Sequence, residues 1–466
     1  MKPGITTASG ALAEWTLGLQ QSDLPSDIVE AVQLRLLDTI GIMLAATDTP
    51  IGRAARDGAL AMASGTSSRI VGFGDRSSAM LTALADGTLA HAMDFDDTHD
   101  PSLVHPSAAI VPAALAVGEM VGVSGKELLV VLAAGSEICC RLGNVAPMAF
   151  HKRGLHPTGL LTGFGATTVA GRLLGLEPSK MQAAIGIHGS QAAGLLESFS
   201  DGTWVKTMHP GWAAFSGIAA VHLAANGFTG PATVFEGRRG LFAALAGAPE
   251  GGLHFSRLTS ELGHTWEFRR SSVKFYPCAQ VIQPFVDLAL AAYRQGLRHD
   301  HIRTITAPVA EQYIGVVAKP RAEKLSPFTP THARASLQYC IAAAIQLGHC
   351  GPAAFTEEII HNAAVLSLAG RVATPVEISP TAPGQLRARI MIETNEGRRW
   401  ESVLEHHRGS VENPLARADV EAKFEANTGH ILSREQRRAL RGTTEDLAAL
   451  PSVARLLDNC IRGRLD

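Results

Sequence analysis

The 466-residue chain has little net charge, few aromatic side chains, no paired-cysteine motif and no long uninterrupted apolar run. A formal charge of -2 gives no footprint for nucleic acid or an anionic membrane surface. Aromatics make up only 5% of the residues, while 46 glycines and abundant alanine suit helices that touch through small side chains. Cys139, Cys140, Cys278, Cys340, Cys350 and Cys460 form no CxxC pair and no regular spacing. That argues against a zinc ribbon or an iron–sulfur cluster and fits a reducing, cytoplasmic setting. The first seven residues lack the apolar core of a signal peptide. The longest uncharged run, 211–235, is interrupted by His222, Asn226, Gly227, Gly230 and Pro231 and reads as a buried helix plus a turn, not a membrane span.

What is present is a long helical series. Residues 26–46 place Ile28, Val32, Leu36, Ile40 and Leu44 at helical spacing, with Ser26 as N-cap. Segments 79–93, 107–121, 126–142, 158–174, 179–197 and 210–227 continue the pattern, with glycine and alanine at many contact positions. The character changes near residue 270. Residues 302–307 alternate like a strand, and Leu386, Ala388, Ile390 and Ile392 alternate with polar neighbours before a Thr394-Asn395-Glu396-Gly397 turn, a hairpin signal. Segments 331–347 and 354–365 read as helices, and the helical pattern returns from Asn413. The expected fold is mainly α: a large helical domain, 1–268 completed by 410–466, with a smaller α+β lid domain inserted at 269–409.

One stretch stands apart. Residues 91–107 hold three histidines and four aspartates between apolar helices. Burying ionised carboxylates costs several kcal/mol each unless they are paired, hydrogen-bonded or metal-bound. A metal site, a general acid–base site and a solvated interhelical loop are the three readings. Asp96-Asp97-Thr98-His99-Asp100 matches the DDxxD pattern with which helical isoprenoid synthases hold magnesium. The second acidic motif those enzymes need is absent, and aromatics for their cavity are few.

A wider pattern fits better. His91-Ala92-Met93-Asp94-Phe95-Asp96-Asp97-Thr98 followed by His105-Pro106-Ser107 resembles the hallmark segment of the MmgE/PrpD family. Gly154-Leu155-His156-Pro157-Thr158-Gly159, Lys206-Thr207-Met208-His209-Pro210-Gly211 and Val273-Lys274-Phe275-Tyr276-Pro277-Cys278 resemble further family segments in matching order, and Asn413-Pro414 and Lys423-Phe424 match its C-terminal return. The resemblance implies a helical domain with an α+β lid, a homodimer, and cofactor-free, metal-free chemistry on small di- or tricarboxylates. It includes 2-methylcitrate dehydratase, cis-aconitate decarboxylase and iminodisuccinate epimerase activities.

By the same resemblance Asp94, Thr98, His105, His156, Lys206 and Tyr313 fall on active-site positions of the decarboxylase branch. The common step moves a proton on carbon near a carboxylate. It needs a base of suitable pKa and cationic groups for the developing charge. His105 and His156 are the expected proton-transfer pair, and Asp94 would orient a histidine. Lys206 and Lys274 would bind substrate carboxylates, Tyr313 would close the pocket, and Thr98 and His209 would complete the binding set. His188 and His209 also suit structural core positions. Asp96, Asp97 and Asp100 are expected to cap helices or pair with arginines, and His99 to be solvated.

The chain departs from the pattern soon after the Val273–Cys278 segment, where many family members carry a histidine and this one reads Cys278-Ala279-Gln280-Val281-Ile282-Gln283-Pro284, with alanine and glutamines instead. Losing an acid there weighs toward epimerisation, which needs no leaving group. The expectation is an isomerase acting alpha to a carboxylate, with iminodisuccinate as the named candidate. The alternative is a hydro-lyase or carboxy-lyase on 2-methylcitrate- or cis-aconitate-like acids; a catalytically dead scaffold is the third class. Turnover should survive exhaustive chelation; activity that vanishes with EDTA and returns with magnesium would instead establish the diphosphate reading.

Overall fold

A computed structural model describes residues 7–63, 65–249, 251–377 and 384–463; residues 1–6, where a leader would begin, lie outside them. The architecture is mainly helical. The helix Ser26–Ala46 buries Ile28, Val32, Leu36, Ile40 and Leu44 as their spacing predicts, although Pro25 rather than Ser26 occupies the N-cap position. Helices Ala79–His91, Ser107–Val121, Gly125–Val145, Pro157–Leu173 and Val205–Ala225 surround one another in a first core. That core draws residues from Leu12 to Phe268 and again from Phe424 to Cys460. Helix Gly125–Val145 is long and apolar enough to cross a bilayer, and its apolar 18-residue stretch is buried inside the protein.

A second core runs from Cys278 to Ile392. Its sheet has the order Arg399–Leu404, Ala388–Thr394, Ile302–Thr306, Val372–Ala373, antiparallel except for the last pair. In Ala388–Thr394 every second residue is buried, the period-2 pattern read from the sequence. Helices Gln283–Arg294 and Leu337–Leu347 pack with this sheet in the second core.

Several expected helices are shorter or broken, and capping side chains explain most of the breaks. The 179–197 segment stops at His188, after which the chain turns and Leu195 bridges to Leu155. The 331–347 segment is interrupted because Ser336 accepts from the Tyr339 N–H and starts a new helix at Leu337. The 354–365 segment divides into Pro352–Phe355, Glu357–Ile360 and Ala363–Gly370, with Thr356 and Asn362 as N-caps.

Two connections position the polar stretch. Thr98–His99 pairs antiparallel with Ser271–Ser272, tying the loop to the chain that enters the second core. Lys423 Nζ reaches Asp38 Oδ1 at 2.8 Å and the Phe95 carbonyl at 2.9 Å, so the returning C-terminal segment props the loop from below.

Helices Ala79–His91 and Val205–Ala225 cross at two glycines. A Cβ on Gly87 would lie 2.5 Å from Gly211 Cα, and one on Gly211 would lie 2.2 Å from the Leu84 carbonyl oxygen. This crossing sets the distance between His91 and Lys206, which the same two helices carry. Gly211→Ala should therefore lower stability by about 2 kcal/mol or more through overpacking and reduce turnover together with it. Unchanged denaturant midpoint and activity would show that the crossing has slack.

Candidate active site

The side chains of interest come from helix ends and the turns beside them. His91 is the last residue of Ala79–His91, and Asp94 follows in the left-handed region at φ 52. His105 precedes Pro106, which caps Ser107–Val121. His156 is the N-cap of Pro157–Leu173, with Pro157 preset for the first helical position. Lys206 and His209 lie in the first turns of Val205–Ala225. From the second core, Tyr313 in Glu311–Val317 and Gln280 in the turn Gln280–Ile282 face the same space. These elements meet around one small cavity lined by Asp94, Thr98, His105, His156, Lys206 and Tyr313, among others.

A buried relay crosses its wall. Asp96 lies 2.9 Å from His91 Nδ1, and Lys206 Nζ lies 2.8 Å from His91 Nε2. An ammonium only donates, so His91 accepts at Nε2 and carries its hydrogen on Nδ1, which donates to Asp96. His105 Nδ1 lies 3.0 Å from the Asp97 carbonyl and 3.0 Å from Thr98 Oγ1. A carbonyl only accepts, so His105 holds its hydrogen on Nδ1 and keeps a lone pair on Nε2. His156 Nδ1 faces His209 Nδ1 at 2.9 Å, one donating and the other accepting. Asp94 Oδ1 accepts from Lys274 Nζ at 2.7 Å and has Lys206 Nζ at 3.5 Å.

The charges follow. Burial pushes the Asp94 carboxyl up, but the Lys206 and Lys274 ammoniums outweigh it and hold the group well below the usual range. Asp96 is likewise penalised by burial, yet His91 and His105 bring it below its ordinary value. Burial dominates for the imidazoles. It lowers His91 despite Asp96, and it lowers His105 and His156 strongly, with Lys206 adding repulsion. His209 falls to about 4 for the same first reason. Lys206 is lowered by desolvation, with Asp94 opposing. The site thus holds ionised Asp94 and Asp96 against two ammoniums, with neutral histidines between them.

Donor atoms of His91, His105 and His156, and of His91, Asp94, Asp96 and His105, lie within 4.8 Å of one another, close enough for a cation. The donor set suits a proton site better. Both His91 nitrogens are engaged, by Asp96 and Lys206, and two ammoniums occupy the space where a metal's charge would sit.

Residues 10–253 match the family model described as the MmgE/PrpD N-terminal domain, and residues 276–448 match the MmgE/PrpD C-terminal domain. The chain belongs to the MmgE/PrpD family. Among curated proteins it is similar to a cis-aconitate decarboxylase-like protein of Aspergillus oryzae, 25% identical over 96% of this chain and 95% of that protein. It is also similar to the cis-aconitate decarboxylases of Mus musculus and Homo sapiens, each 28% identical over 96% of this chain and 91% and 92% of theirs.

Within this MmgE/PrpD chain, Asp94, Thr98, His105, His156, Lys206 and Tyr313 all line one cavity, and His209 stands behind His156. Four expectations need correction. Asp94 does not orient a histidine; it binds the two lysines, and Asp96 holds His91 instead. Lys274 does not line the cavity, because its ammonium is spent on the Asp94 carboxylate and carbonyl. His99 is fully buried, not solvated: strand pairing pulls it inside, where it bonds Ser102 Oγ at 2.7 Å and has Glu267 at 3.5 Å. Of the three aspartates expected to cap or pair with arginine, only Asp97 does so, accepting from the Ser107 N–H and hydroxyl with Arg35 3.8 Å away. Asp100 binds Ser272 and Gln280, and His407 lies 3.4 Å away. His188 is a core histidine, edge-on to Phe164 and pushed down to about 3 by burial. The sequence expectations missed His91, whose signal was its place at the head of the hallmark segment, and His151, which no motif marks; Gln280 was noted only as part of the stretch after Cys278 that departs from the family pattern.

The depressed His209 carries a stability signature. Between the unfolded value near 6.5 and the folded value near 4, the unfolded chain binds a proton the folded chain refuses. Stability at this residue is therefore present above pH 6.5 and lost as pH falls toward 4. Relative to His209→Gln, the native protein should lose about 3 kcal/mol between pH 7 and pH 4. Parallel urea-unfolding curves for the two proteins across that range would contradict this charge assignment.

Proposed function

We propose that the protein is a lyase that removes carbon dioxide or water from a small polycarboxylate, using its own side chains for proton transfer. The observation that carries the reading is the convergence of neutral His105 and His156 with Lys206 in one cavity closed by Tyr313. The relatives' names favour loss of carbon dioxide. No relative named above supports epimerisation. The missing histidine after Cys278 weighs less once the site's other proton donors are counted.

Loss of carbon dioxide breaks the bond to the carboxylate carbon and leaves the electron pair on the substrate. That pair spreads into an adjacent double bond or carboxylate and is quenched by one proton. Loss of water instead takes a proton from carbon, forms the double bond and delivers a proton to the departing hydroxide. Either course needs a proton donor at the right moment. Among the protein's own groups the carboxylates and ammoniums balance and the imidazoles stay neutral. A polycarboxylate adds negative charge beside them, which raises their pKa values and draws protons onto them. Substrate binding thereby arms its own acid. His156, relayed through His209, is the assigned donor, and the His105 Nε2 lone pair is the assigned base. Lys206 binds a substrate carboxylate, a charge-assisted contact about twice as strong as a neutral one.

Incubation with cis-aconitate, 2-methylcitrate and iminodisuccinate in deuterated water, followed by NMR, tests this. A new alkene pattern with release of carbon dioxide or water is expected, and His156→Ala should abolish it while the circular dichroism stays native. Deuterium exchange at an alpha carbon with no elimination would restore the epimerase reading.

A further inference from the structure

The charges around the cavity leave a polycarboxylate short of counter-charge. Among the described residues that line the cavity, Lys206 alone carries a fixed positive charge, and Asp94 already lies 3.5 Å from it. Lys274 is spent on Asp94 as well. A substrate with two or three carboxylates therefore finds one ammonium, itself shared, and must draw on the imidazoles for the rest. His105 and His156 are assigned to proton transfer, so neither holds its proton throughout the reaction. His151 is the remaining imidazole of the lining.

A strained turn places that ring. Met148, a non-glycine residue at φ 63, precedes the short helix Ala149–Lys152, and both Met148 and His151 line the cavity. Backbone strain of this kind clusters at ligand-binding sites. The His151 side chain is half-buried. Its Nδ1 is covered and has no hydrogen-bond partner, whereas Nε2 is uncovered and equally without a partner among the described residues. No protein group fixes the tautomer, and Nε2 is the nitrogen within a ligand's reach. Burial and the Lys206 ammonium push the ring down to about 4, so beside the protein's own groups it is neutral.

We propose that His151 is a substrate-binding residue whose Nε2–H holds a second carboxylate of the substrate, one that Lys206 does not take. This rests on the reading of the cavity as a polycarboxylate site and names the second anchor within it. A carboxylate in contact favours the charged ring, so His151 gains a proton as the ligand binds and keeps it through turnover. Lys206 from Val205–Ala225, His156 ahead of Pro157–Leu173, Asp94 and His105 from the polar loop, and Tyr313 from Glu311–Val317 share the cavity with it. Of these, Lys206 repels the added charge, and the bound anion offsets that repulsion. Because proton uptake accompanies binding, the affinity owed to His151 is present at low pH and is lost as pH rises.

Tricarballylate has neither a double bond nor a hydroxyl to lose, and its calorimetric titration into the full-length protein tests the proposal. His151→Phe should weaken its Kd by about tenfold or more at pH 6. Titrations in two buffers of different ionisation enthalpy should show the native protein taking up about half a proton more than the variant. His151→Lys restores a fixed charge, so it should bind within about threefold of the native protein while losing the extra uptake. Should the phenylalanine variant lose its native circular dichroism, His151→Gln gives the same comparison of proton uptake. Equal Kd and equal uptake in the native and variant proteins overturn the proposal and leave the polycarboxylate site standing. A weaker Kd with unchanged uptake marks a packing role and also overturns it. A native protein that binds neither tricarballylate nor cis-aconitate overturns the polycarboxylate reading itself and this inference with it.

Discussion

The pairing of Asp94 with Lys206 and Lys274 is the constraint on which the rest of the site depends. One buried carboxylate lies near two ammoniums, and neither sign could stay ionised there alone. Because Asp94 keeps Lys206 charged, Lys206 can donate to His91, which fixes that ring's tautomer and commits its other nitrogen to Asp96. Each proton position therefore follows from the one before it. Removing one partner would leave an uncompensated charge inside the helical core, which costs more than the pair contributes.

Such a network needs rigid supports, and the composition supplies them. The glycine-to-glycine crossing of Ala79–His91 and Val205–Ala225 brings two backbones together where larger side chains would hold them apart. Gly163 does the same beside His188, and Gly159 beside Ala193 and His209. The scarcity of aromatics and the abundance of small residues are thus two sides of one device. Helices that approach closely can present short polar side chains to one another across a narrow seam.

Much of this was legible in the sequence. The spans 26–46 and 107–121 match their helices because apolar periodicity ran unbroken between clear ends. The strand pair around residue 395 was legible from alternation and a glycine turn. The residues that line the cavity could be gathered only because several motifs kept their order along the chain, not because any one identified a pocket. What escaped reading were partnerships. Nothing in the order Asp94, Asp96, Asp97, Asp100 tells which carboxylate meets a lysine, a histidine, a helix N-terminus or a glutamine, since each partner comes from a distant segment. His99 shows the same limit, because its burial depends on strand pairing with residues 271 and 272.

The Lys423 contacts with Asp38 and Phe95 span 385 and 328 positions of sequence. At a synthesis rate of about 5–20 residues per second, roughly 20 to 80 s separate the appearance of Asp38 from that of its partner. Throughout that interval the helical body is one cation short, and the loop beneath the cavity has no prop. The nascent chain therefore cannot close its own interior until the closing helix arrives. Assembly of the site therefore waits for the helix Arg417–Thr428 that carries Lys423.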